Sequence, residues 1–163
     1  MQFKDALKKL NKSSEFNDWK NKHKDSYLSY GFIMIASDVQ QDWQLGYYNP
    51  GNDTLTSFSV NERVIKNPDA EIFKNKSKVQ RLDTRKVKIN LNKALRIAET
   101  LQKEKYSAHI PIKKIIILQN LDLGQVWNIT YVTQSFKTLN IKINSETGEI
   151  LKYDLVDLFN VEK

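Results

Sequence analysis

The sequence predicts an α+β fold in which antiparallel sheets each carry a helix packed on one face. Apolar residues recur at helical spacing at the start of each half of the 163-residue chain. Segments of alternating aromatic, β-branched and polar residues follow, and this period of two is typical of half-buried strands. Short polar turns separate those segments. The order helix, strand, strand, strand therefore predicts tandem α-β-β-β units, at residues 1–85 and 86–163.

Two short helices are predicted to open the N-terminal unit. Phe3, Leu7 and Leu10 share one helical face. Ser13 or Ser14 is placed to cap a second helix, because a serine hydroxyl accepts a hydrogen bond from a free amide of the first turn. Strands follow at residues 27–36, 43–47 and 54–60, with loops at 37–41 and 49–53.

The C-terminal unit begins with the most regular helical pattern in the chain. A helix over residues 91–105 is predicted by the apolar stripe of Leu91, Ala94, Leu95, Ala98 and Leu101. Strands are predicted at residues 112–119, 126–133, 138–144 and 149–153, with a hairpin loop at 120–124 and a final helical turn from Leu155, Leu158 and Phe159. Residues 75–88 are polar and basic, and we expect them to connect the two units.

A short internal similarity accompanies this shared order. Residues 43–47 read Trp-Gln-Leu-Gly-Tyr, and residues 127–131 read Trp-Asn-Ile-Thr-Tyr. In each segment the Trp, the aliphatic residue and the Tyr occupy alternate positions, which places them on one face of a strand. Duplication of one unit explains the match, and so does chance, because alternating aromatic strands are common.

Residues 91–153 resemble the PepSY module. The predicted helix begins near an Asn and carries Ala94 and Ala98 in the family's spacing. The strand at 126–131 carries a Trp followed by alternating apolar residues. Residues 144–151 read Asn-Ser-Glu-Thr-Gly-Glu-Ile-Leu, with Asn144 where the family usually has Asp. We expect Asn144 to bond backbone amides of this turn and Gly148 to take a positive φ.

The resemblance implies a fold of the PepSY and cystatin kind and a binding role. Such modules inhibit or assist the folding of a peptidase, or regulate a protein to which they are attached, and the module has no catalytic residue. Residues 1–85 lack the Thr-Gly turn, so the resemblance extends to them only through the internal repeat. PepSY modules are usually exported.

Positive charge is concentrated in two segments of a chain whose net charge is +7. Residues 1–24 carry seven lysines and three acidic residues. Residues 74–88 carry one acidic residue and seven basic ones, which are Lys74, Lys76, Lys78, Arg81, Arg85, Lys86 and Lys88. These seven side chains form a candidate surface for an anionic partner, nucleic acid included. The alternative is a solvated helix surface and a solvated connection.

No pattern typical of an enzyme is present. The chain has no cysteine, which excludes disulfides, zinc–thiolate sites and cysteine nucleophiles. Nucleotide-binding and hydrolase motifs are absent from the sequence. His23 and His109 lie in different halves, without the spaced ligands of a metal site. The acidic pairs Asp154/Asp157 and Glu146/Glu149 are expected to be solvated surface groups. We therefore predict a non-enzymatic protein without a cofactor.

The location expected from the sequence is the cytoplasm. Charged residues interrupt the N-terminal apolar positions, unlike those of a secretory signal. The longest apolar run, at residues 115–118, is far shorter than the roughly 20 residues of a membrane-spanning helix. We accordingly expect no membrane partner.

The leading functional hypothesis is a binding or regulatory protein with a protein or peptide partner. Its partner would use an exposed strand edge or the sheet face that the helices leave uncovered. The alternative is a nucleic-acid-associated protein that uses the two basic segments. Trp43, Trp127, Tyr47 and Tyr131 would stack on bases if exposed, and would belong to the core if buried.

Overall fold

The computed structural model describes residues 1–71 and 78–159 and confirms the α+β class. These residues form three α-helices, one 3₁₀ turn and ten strands. In the N-terminal half the elements are α1 Phe3–Lys12, α2 Ser14–Lys22, β1 Tyr27–Ala36, β2 Val39–Gln40, β3 Trp43–Asn49, β4 Thr54–Val60, β5 Val64–Lys66 and β6 Ala70–Glu71. The 3₁₀ turn Thr84–Lys86 is followed by α3 Leu91–Lys105, β7 Pro111–Leu121, β8 Gly124–Thr133, β9 Lys137–Asn144 and β10 Ile150–Asp157.

All ten strands belong to one antiparallel sheet, so the prediction of separate sheets was wrong. The strand order is β10-β9-β8-β7-β1-β3-β4-β5, while β2 pairs with β1 and β6 with β4. Pairing of β1 with β7 joins the two halves, with Phe32 opposite Ile117. Both strands carry apolar residues on both faces. Each therefore needs a neighbour on both edges, because unpaired backbone groups in an apolar surface are unfavourable. The division at residues 85/86 remains a prediction.

The three helices pack on the same face of the sheet and share one core with it. In α1, Phe3 meets the edge of Trp43 in β3, with ring centroids 5.7 Å apart. Trp43 in turn lies 6.3 Å from Trp127 in β8, across the junction of the halves. The side-chain oxygen of Gln2 accepts a hydrogen bond from the amide of Leu91, which links the starts of α1 and α3. The core is therefore continuous across the two halves.

Local signals in the sequence account for where the helices and the last turn begin. The Ser13 hydroxyl accepts from the amide of Phe16, and the Asn90 side chain accepts from that of Lys93, so both residues cap helices as expected. The Asn144 side-chain oxygen accepts from the backbone amides of Glu146 and Thr147. Gly148 has a φ of 80°. The predicted turn geometry is thus confirmed.

Each half anchors its first helix by the same type of indole hydrogen bond. In the N-terminal half, Trp43 Nε1 donates to the carbonyl oxygen of Met1 at 3.0 Å. In the C-terminal half, Trp127 Nε1 donates to that of Ile89 at 2.9 Å. Each carbonyl belongs to the residue two positions before the helix starts. The two tryptophans are both buried in the core.

The predicted connection, residues 75–88, and the residue that follows it also contribute apolar side chains to the core. Leu82, Val87 and Ile89 are buried in the core. The amide of Leu82 donates to the carbonyl of Leu28 in β1, and that of Ile89 to Ser145. Single apolar residues at irregular spacing carry no periodic signal, so their burial is not visible in the sequence. Residues 72–77 lie outside the described residues.

Two smaller predictions were wrong. No final helical turn forms at Leu155, which pairs with Leu139 because β10 continues to Asp157. The loop predicted at residues 37–41 contains the short strand β2, paired with β1. The hairpin loop predicted at 120–124 is confirmed, although it is shorter, since Leu121 already pairs with Gly124.

Candidate binding surfaces

The face of the sheet opposite the helices carries an apolar stripe at its centre. Side chains of β1 and β7 alternate between the core and this open face. Phe32 lies opposite Ile117, and Met34 lies opposite Ile115. Together with Tyr30 these residues define the apolar stripe, and all five are half-buried. The stripe lies at the junction of the two halves of the sheet.

Polar groups border the stripe on both sides, and on the β9 side the Lys142 ammonium group donates to Asn140. On the β8–β9 side, the Asn140 amide nitrogen donates to Asn128 at 2.6 Å and to Thr130 at 2.9 Å. On the β4 side, the Asn67 amide nitrogen donates to the hydroxyls of Ser57 and Ser59 at 3.0 and 3.1 Å. Amides and hydroxyls that bond one another hold these borders in place. The open face therefore offers an apolar centre between hydrogen-bonding margins.

Tyr30 has a fixed position at one end of the stripe. A Cβ on Gly46 would lie 2.0 Å from the Tyr30 ring, so the ring rests directly on the glycine backbone of β3. Burial raises the pKa of the Tyr30 phenol, against a hydrogen bond with Ser57 that lowers it. The tyrosine is therefore neutral at ordinary pH and contributes an apolar ring face with one polar end.

The long free edge of the sheet is β10. Seven of its eight residues pair with β9 on one side, and no strand of the described residues pairs with them on the other. Tyr153 is 38% exposed and Val156 48%. The Lys152 ammonium nitrogen lies 3.8 Å from a carboxylate oxygen of Asp154, and both side chains are exposed. At the opposite end of the sheet, β5 and β6 have only three and two residues. A strand edge of this length is able to pair with another chain.

Five of the seven basic residues predicted as an anionic-partner surface can be located, and all five are exposed: Lys78, Arg81, Arg85, Lys86 and Lys88. Lys74 and Lys76 lie outside the described residues. Local partners engage three of the five. Arg85 pairs with Asp83 at 2.9 Å, Lys88 with Glu146 at 2.6 Å, and Arg81 lies 4.8 Å from the centroid of the Tyr27 ring.

These ion pairs lower the pKa of the acidic partners and give two of the cations a local counter-charge. The hydrogen bond from Arg85 lowers the pKa of Asp83, and the one from Lys88 lowers the pKa of Glu146. Both acids therefore stay ionised and offset neighbouring positive charge. The segment is a less concentrated positive surface than its sequence indicates.

The tertiary structure brings α1 beside this segment. One shallow groove of about 400 Å³ is lined by Thr84 and by Lys4, Leu7, Lys8, Asn11 and Lys12 of α1. A neighbouring groove of about 240 Å³ includes Lys4 and Lys88. Lys4, Lys8 and Lys12 of α1 thus lie beside Thr84 and Lys88, and the exposed Arg85 and Lys86 stand between these two in the sequence. We call Lys4, Lys8, Lys12, Arg85, Lys86 and Lys88 the basic surface.

The other lysines of the N-terminal segment do not all join this surface. The ammonium group of Lys20 donates to the carbonyl oxygens of His23, Lys24 and Ser26, which closes the end of α2. Burial lowers the pKa of Lys20, and the charge of Arg81 adds to that effect. Lys20 therefore has a structural role.

The histidines and the aromatic pairs also have structural roles. His23 stacks on Trp19 with centroids 4.6 Å apart, and its Nδ1 lies 2.8 Å from the Trp19 carbonyl oxygen. His109 Nδ1 lies 2.7 Å from the Ser135 hydroxyl. Within residues 1–71 and 78–159, no three His, Cys, Asp or Glu side chains are grouped as metal ligands. The candidate stacking residues Trp43, Tyr47, Trp127 and Tyr131 are all buried, so they form core and not a base-binding platform.

A cleft of about 500 Å³ lies on the helix side, between α3 and the strands β1, β7 and β8. Its floor includes Ile35, Lys114 and Tyr131. Glu99 on its α3 wall pairs with Lys103 at 2.6 Å, and this hydrogen bond lowers the pKa of Glu99. Desolvation raises the pKa of Tyr131, so its phenol stays neutral. The cleft combines a floor of apolar and basic side chains with a wall whose Glu99 and Lys103 pair with each other.

Comparison with known proteins shows a likeness of fold. No protein-family model and no curated protein matches the chain. The structure is similar to the crystal structure of a protein described as a "putative lipoprotein" of Clostridium difficile 630. The TM-score is 0.57 at 15% sequence identity, over 86% of this chain and 90% of the other. At this identity the likeness concerns the fold alone. No helix in the described parts of this chain is long and apolar enough to cross a membrane.

Proposed function

We propose that the protein is a non-enzymatic binding protein, inhibitor-like or chaperone-like, whose open sheet face receives a segment of a partner protein. The observation that carries this proposal is the apolar stripe of Tyr30, Phe32, Met34, Ile115 and Ile117. The solvated face of an antiparallel sheet is ordinarily polar, and contiguous apolar surface outside the core is typical of interaction sites.

The margins of the stripe indicate the chemistry of the partner. The amides of Asn128 and Asn140 and the hydroxyls of Ser57 and Ser59 carry no charge. The margin is uncharged apart from the Lys142 ammonium group, which donates to Asn140, and it favours a segment with an apolar face and polar flanks. A strongly basic segment would gain nothing here to offset its desolvation, because the charge on Lys142 is itself positive.

We also propose that the protein consists of two PepSY-like α-β-β-β units that share one sheet. The two indole hydrogen bonds support this, because each joins a tryptophan of the second long strand to the carbonyl two residues before the helix. The helices add a second correspondence. Ala6 lies three residues after the start of α1, and Ala94 three after the start of α3, and both are fully buried. The Asn144 turn supports the family assignment of the second unit.

The cytoplasmic location remains a prediction, with an anchored alternative. The protein of similar fold is described as a lipoprotein, which favours a location at the cell envelope. Cell fractionation with antibody detection of the full-length chain distinguishes the two. Recovery in the soluble fraction supports the cytoplasmic prediction, and recovery with membranes contradicts it.

Photo-crosslinking in cells tests the open face directly. A benzophenone amino acid replaces Phe32 in the stripe and, as a control, Thr138 on the same face of β9. We expect a protein adduct from position 32 only. The adduct partner is then purified, and its affinity for the Ile117→Lys variant is compared with that for Thr138→Lys, with circular dichroism confirming that both variants fold. Adducts of equal yield from both positions, or equal affinity for both variants, would contradict the proposal.

The second candidate is a nucleic-acid-associated protein that uses the basic surface. The observation in its favour is that lysines of α1 lie beside Thr84 and Lys88. With four to six phosphate contacts, affinity should fall by about two to three orders of magnitude between 50 and 200 mM salt. We expect only weak, nonspecific binding at 150 mM salt, because no base-reading or stacking group accompanies these charges. Submicromolar binding of mixed-sequence DNA or RNA at 150 mM salt would favour this candidate if changing Lys4, Lys8, Arg85 and Lys86 to Gln abolished it.

A further inference from the structure

We propose that β10 is the interface of a symmetric dimer, in which the β10 strands of two copies pair antiparallel about Tyr153 and continue the sheet. This goes beyond the proposed function, because β10 lies at the outer edge of the sheet and the apolar stripe lies at its centre. The two surfaces can be occupied at the same time.

The edge of β10 is long enough to pair and remains available for pairing. Its outward backbone groups have no strand partner among residues 1–71 and 78–159. Natural proteins usually blunt such an edge with a bulge, a proline or a short strand. Here the bulge is near Ile150, at the start of the strand, and leaves Lys152–Asp157 in regular pairing with β9. The residues on both sides of Tyr153 can therefore accept a new strand.

The charges on this edge select one register. In an antiparallel pair centred on Tyr153, Lys152 of each copy lies opposite Asp154 of the other, and the two-fold axis forms this contact twice. A pair centred on Lys152 or on Asp154 would instead place like charges directly opposite each other. A shift that centres the pair on Leu155 would leave Asp154 opposite Val156. The self-complementary register is thus the one about Tyr153.

The side chain at the centre is held in place within its own copy. The Tyr153 ring lies 6.3 Å from the Tyr106 ring, and the Lys105 ammonium lies 5.8 Å from the centroid of the Tyr153 ring. The ring nevertheless remains 38% exposed. In the proposed dimer the two Tyr153 residues face each other on the helix side of the joined sheet. A prepositioned aromatic at the two-fold axis reduces the side-chain entropy lost on pairing.

The same charges explain why the edge does not pair with strands of unrelated sequence. Charged residues on an edge strand oppose unspecific pairing, since most partners would leave them without a counter-charge. Lys152 and Asp154 form an ion pair within their own strand, and each gains an opposite charge across the strand pair only from a matching sequence. The second copy of this chain supplies that sequence in the register given above, so it is the partner to which the edge is complementary.

A charge-exchange experiment tests the interface. Sedimentation equilibrium of the full chain measures the dimer dissociation constant for the wild type, Lys152→Asp, Asp154→Lys and the double exchange. We expect each single variant to dimerise about ten- to thirtyfold more weakly, because two attractive cross-strand pairs become two repulsive ones. The double exchange should restore dimerisation. An equimolar mixture of the two single variants should form a mixed dimer. Lys93→Asp on α3 controls for the change in net charge.

The outcomes separate this inference from the proposed function. A wild type that stays monomeric at several hundred micromolar overturns the dimer. So does a dimer that Lys152→Asp leaves unchanged. Neither result affects crosslinking from position 32, whereas a failure of that crosslinking leaves the charge-exchange result standing. Circular dichroism of each exposed-site variant verifies folding, so loss of dimerisation is not mistaken for loss of structure.

Discussion

The two halves of the sheet hold their first helix in the same way, but their outermost strands differ in length. Both hold the start of a helix through an indole hydrogen bond, from Trp43 to Met1 and from Trp127 to Ile89. Both contribute a long central strand, β1 or β7, and these two strands pair. The N-terminal half ends in the short strands β5 and β6, whereas the C-terminal half ends in the eight-residue β10. A similar unit thus yields one blunted edge and one open edge.

The two indole hydrogen bonds also differ in their surroundings. The Met1 carbonyl oxygen accepts a second hydrogen bond from the Gln40 side chain at 3.0 Å, in an exposed position. The Ile89 carbonyl oxygen accepts from Trp127 in a buried position. A buried acceptor that loses its donor cannot turn to water, so it loses more free energy than an exposed one. Equivalent hydrogen bonds in the two halves are therefore expected to contribute different amounts of free energy to stability.

Removal of either indole should have the largest effect. Trp127→Ala should lower the free energy of unfolding by about 3–5 kcal/mol, the range for truncating a buried large aromatic, and Trp43→Ala should do nearly the same. Because the halves share a sheet and a core, we expect one cooperative transition in urea, followed by circular dichroism and by tryptophan fluorescence. A loss below about 1 kcal/mol, or two separated transitions, would contradict the joined core.

The Thr-Gly turn of the C-terminal half should tolerate substitution poorly. Gly148→Val should lower the free energy of unfolding by about 2–3 kcal/mol, because a β-branched residue is strained at positive φ. A Cβ there would also lie 3.2 Å from the Ile97 side chain. Gly124 has a φ of 128°, so Gly124→Val is strained as well, but a Cβ there meets nothing within 4 Å. We expect Gly124→Val to lower stability less, because it lacks the contact that Ile97 makes at position 148. Equal losses in melting temperature would argue that Ile97 does not restrict this turn.

Substitution of each tryptophan by phenylalanine isolates the indole hydrogen bond. Both variants lose a similar ring area. The difference between their free energies of unfolding therefore reports on the backbone carbonyl that has lost its indole donor. Trp127→Phe should cost about 1–2 kcal/mol more than Trp43→Phe, because the Gln40 side chain still satisfies the Met1 carbonyl. Urea denaturation measures both. A larger loss of stability in Trp43→Phe would contradict the expectation that the hydrogen bond of Trp127 contributes more than that of Trp43.

The smallest effect concerns the ion pair that joins the connection to the last turn. The hydrogen bond from Lys88 lowers the pKa of Glu146 below its ordinary value of 4.5. Its contribution to stability is therefore present above about pH 4.5 and is lost as the pH falls through the lowered pKa. Glu146→Gln should slightly flatten the decline of the melting temperature between pH 6 and pH 3, whereas Glu149→Gln should not. If the melting temperature of Glu146→Gln declined with the same slope as that of the wild type, solvent would fully screen the attraction between Lys88 and Glu146.

Much of the local structure was predictable because local chemistry decides it. The Leu91–Lys105 helix follows from one apolar stripe and an Asn cap, and the fully buried Ala94 and Ala98 lie on that stripe. The burial of Trp43 and Trp127 follows from alternation along their strands. The basic segment at residues 74–88, which carries seven basic residues, was harder to interpret. Composition shows its charge, but the neutralisation of Arg85 by Asp83 and of Lys88 by Glu146 depends on geometry.

The apolar stripe was not predicted residue by residue, although a signal for it existed. An uncovered sheet face was predicted from the sequence, but none of its residues was. Residues 115–118 are a continuous apolar run, and such a run indicates a strand with apolar residues on both faces. Its second apolar face is the stripe. What the run does not reveal is that β1 lies beside it and supplies Phe32 and Met34.

By itself, the sequence determined the α+β class, the helix caps, most strand positions and the Asn144–Gly148 turn, because each depends on contacts within a few residues. The tertiary structure decided that β1 pairs with β7, that Leu82, Val87 and Ile89 enter the core, and that α1 lies beside residues 84–88. Periodicity specifies which face of a strand is buried. It does not specify which strand lies next to it, because that choice depends on the fit between surfaces far apart in the chain.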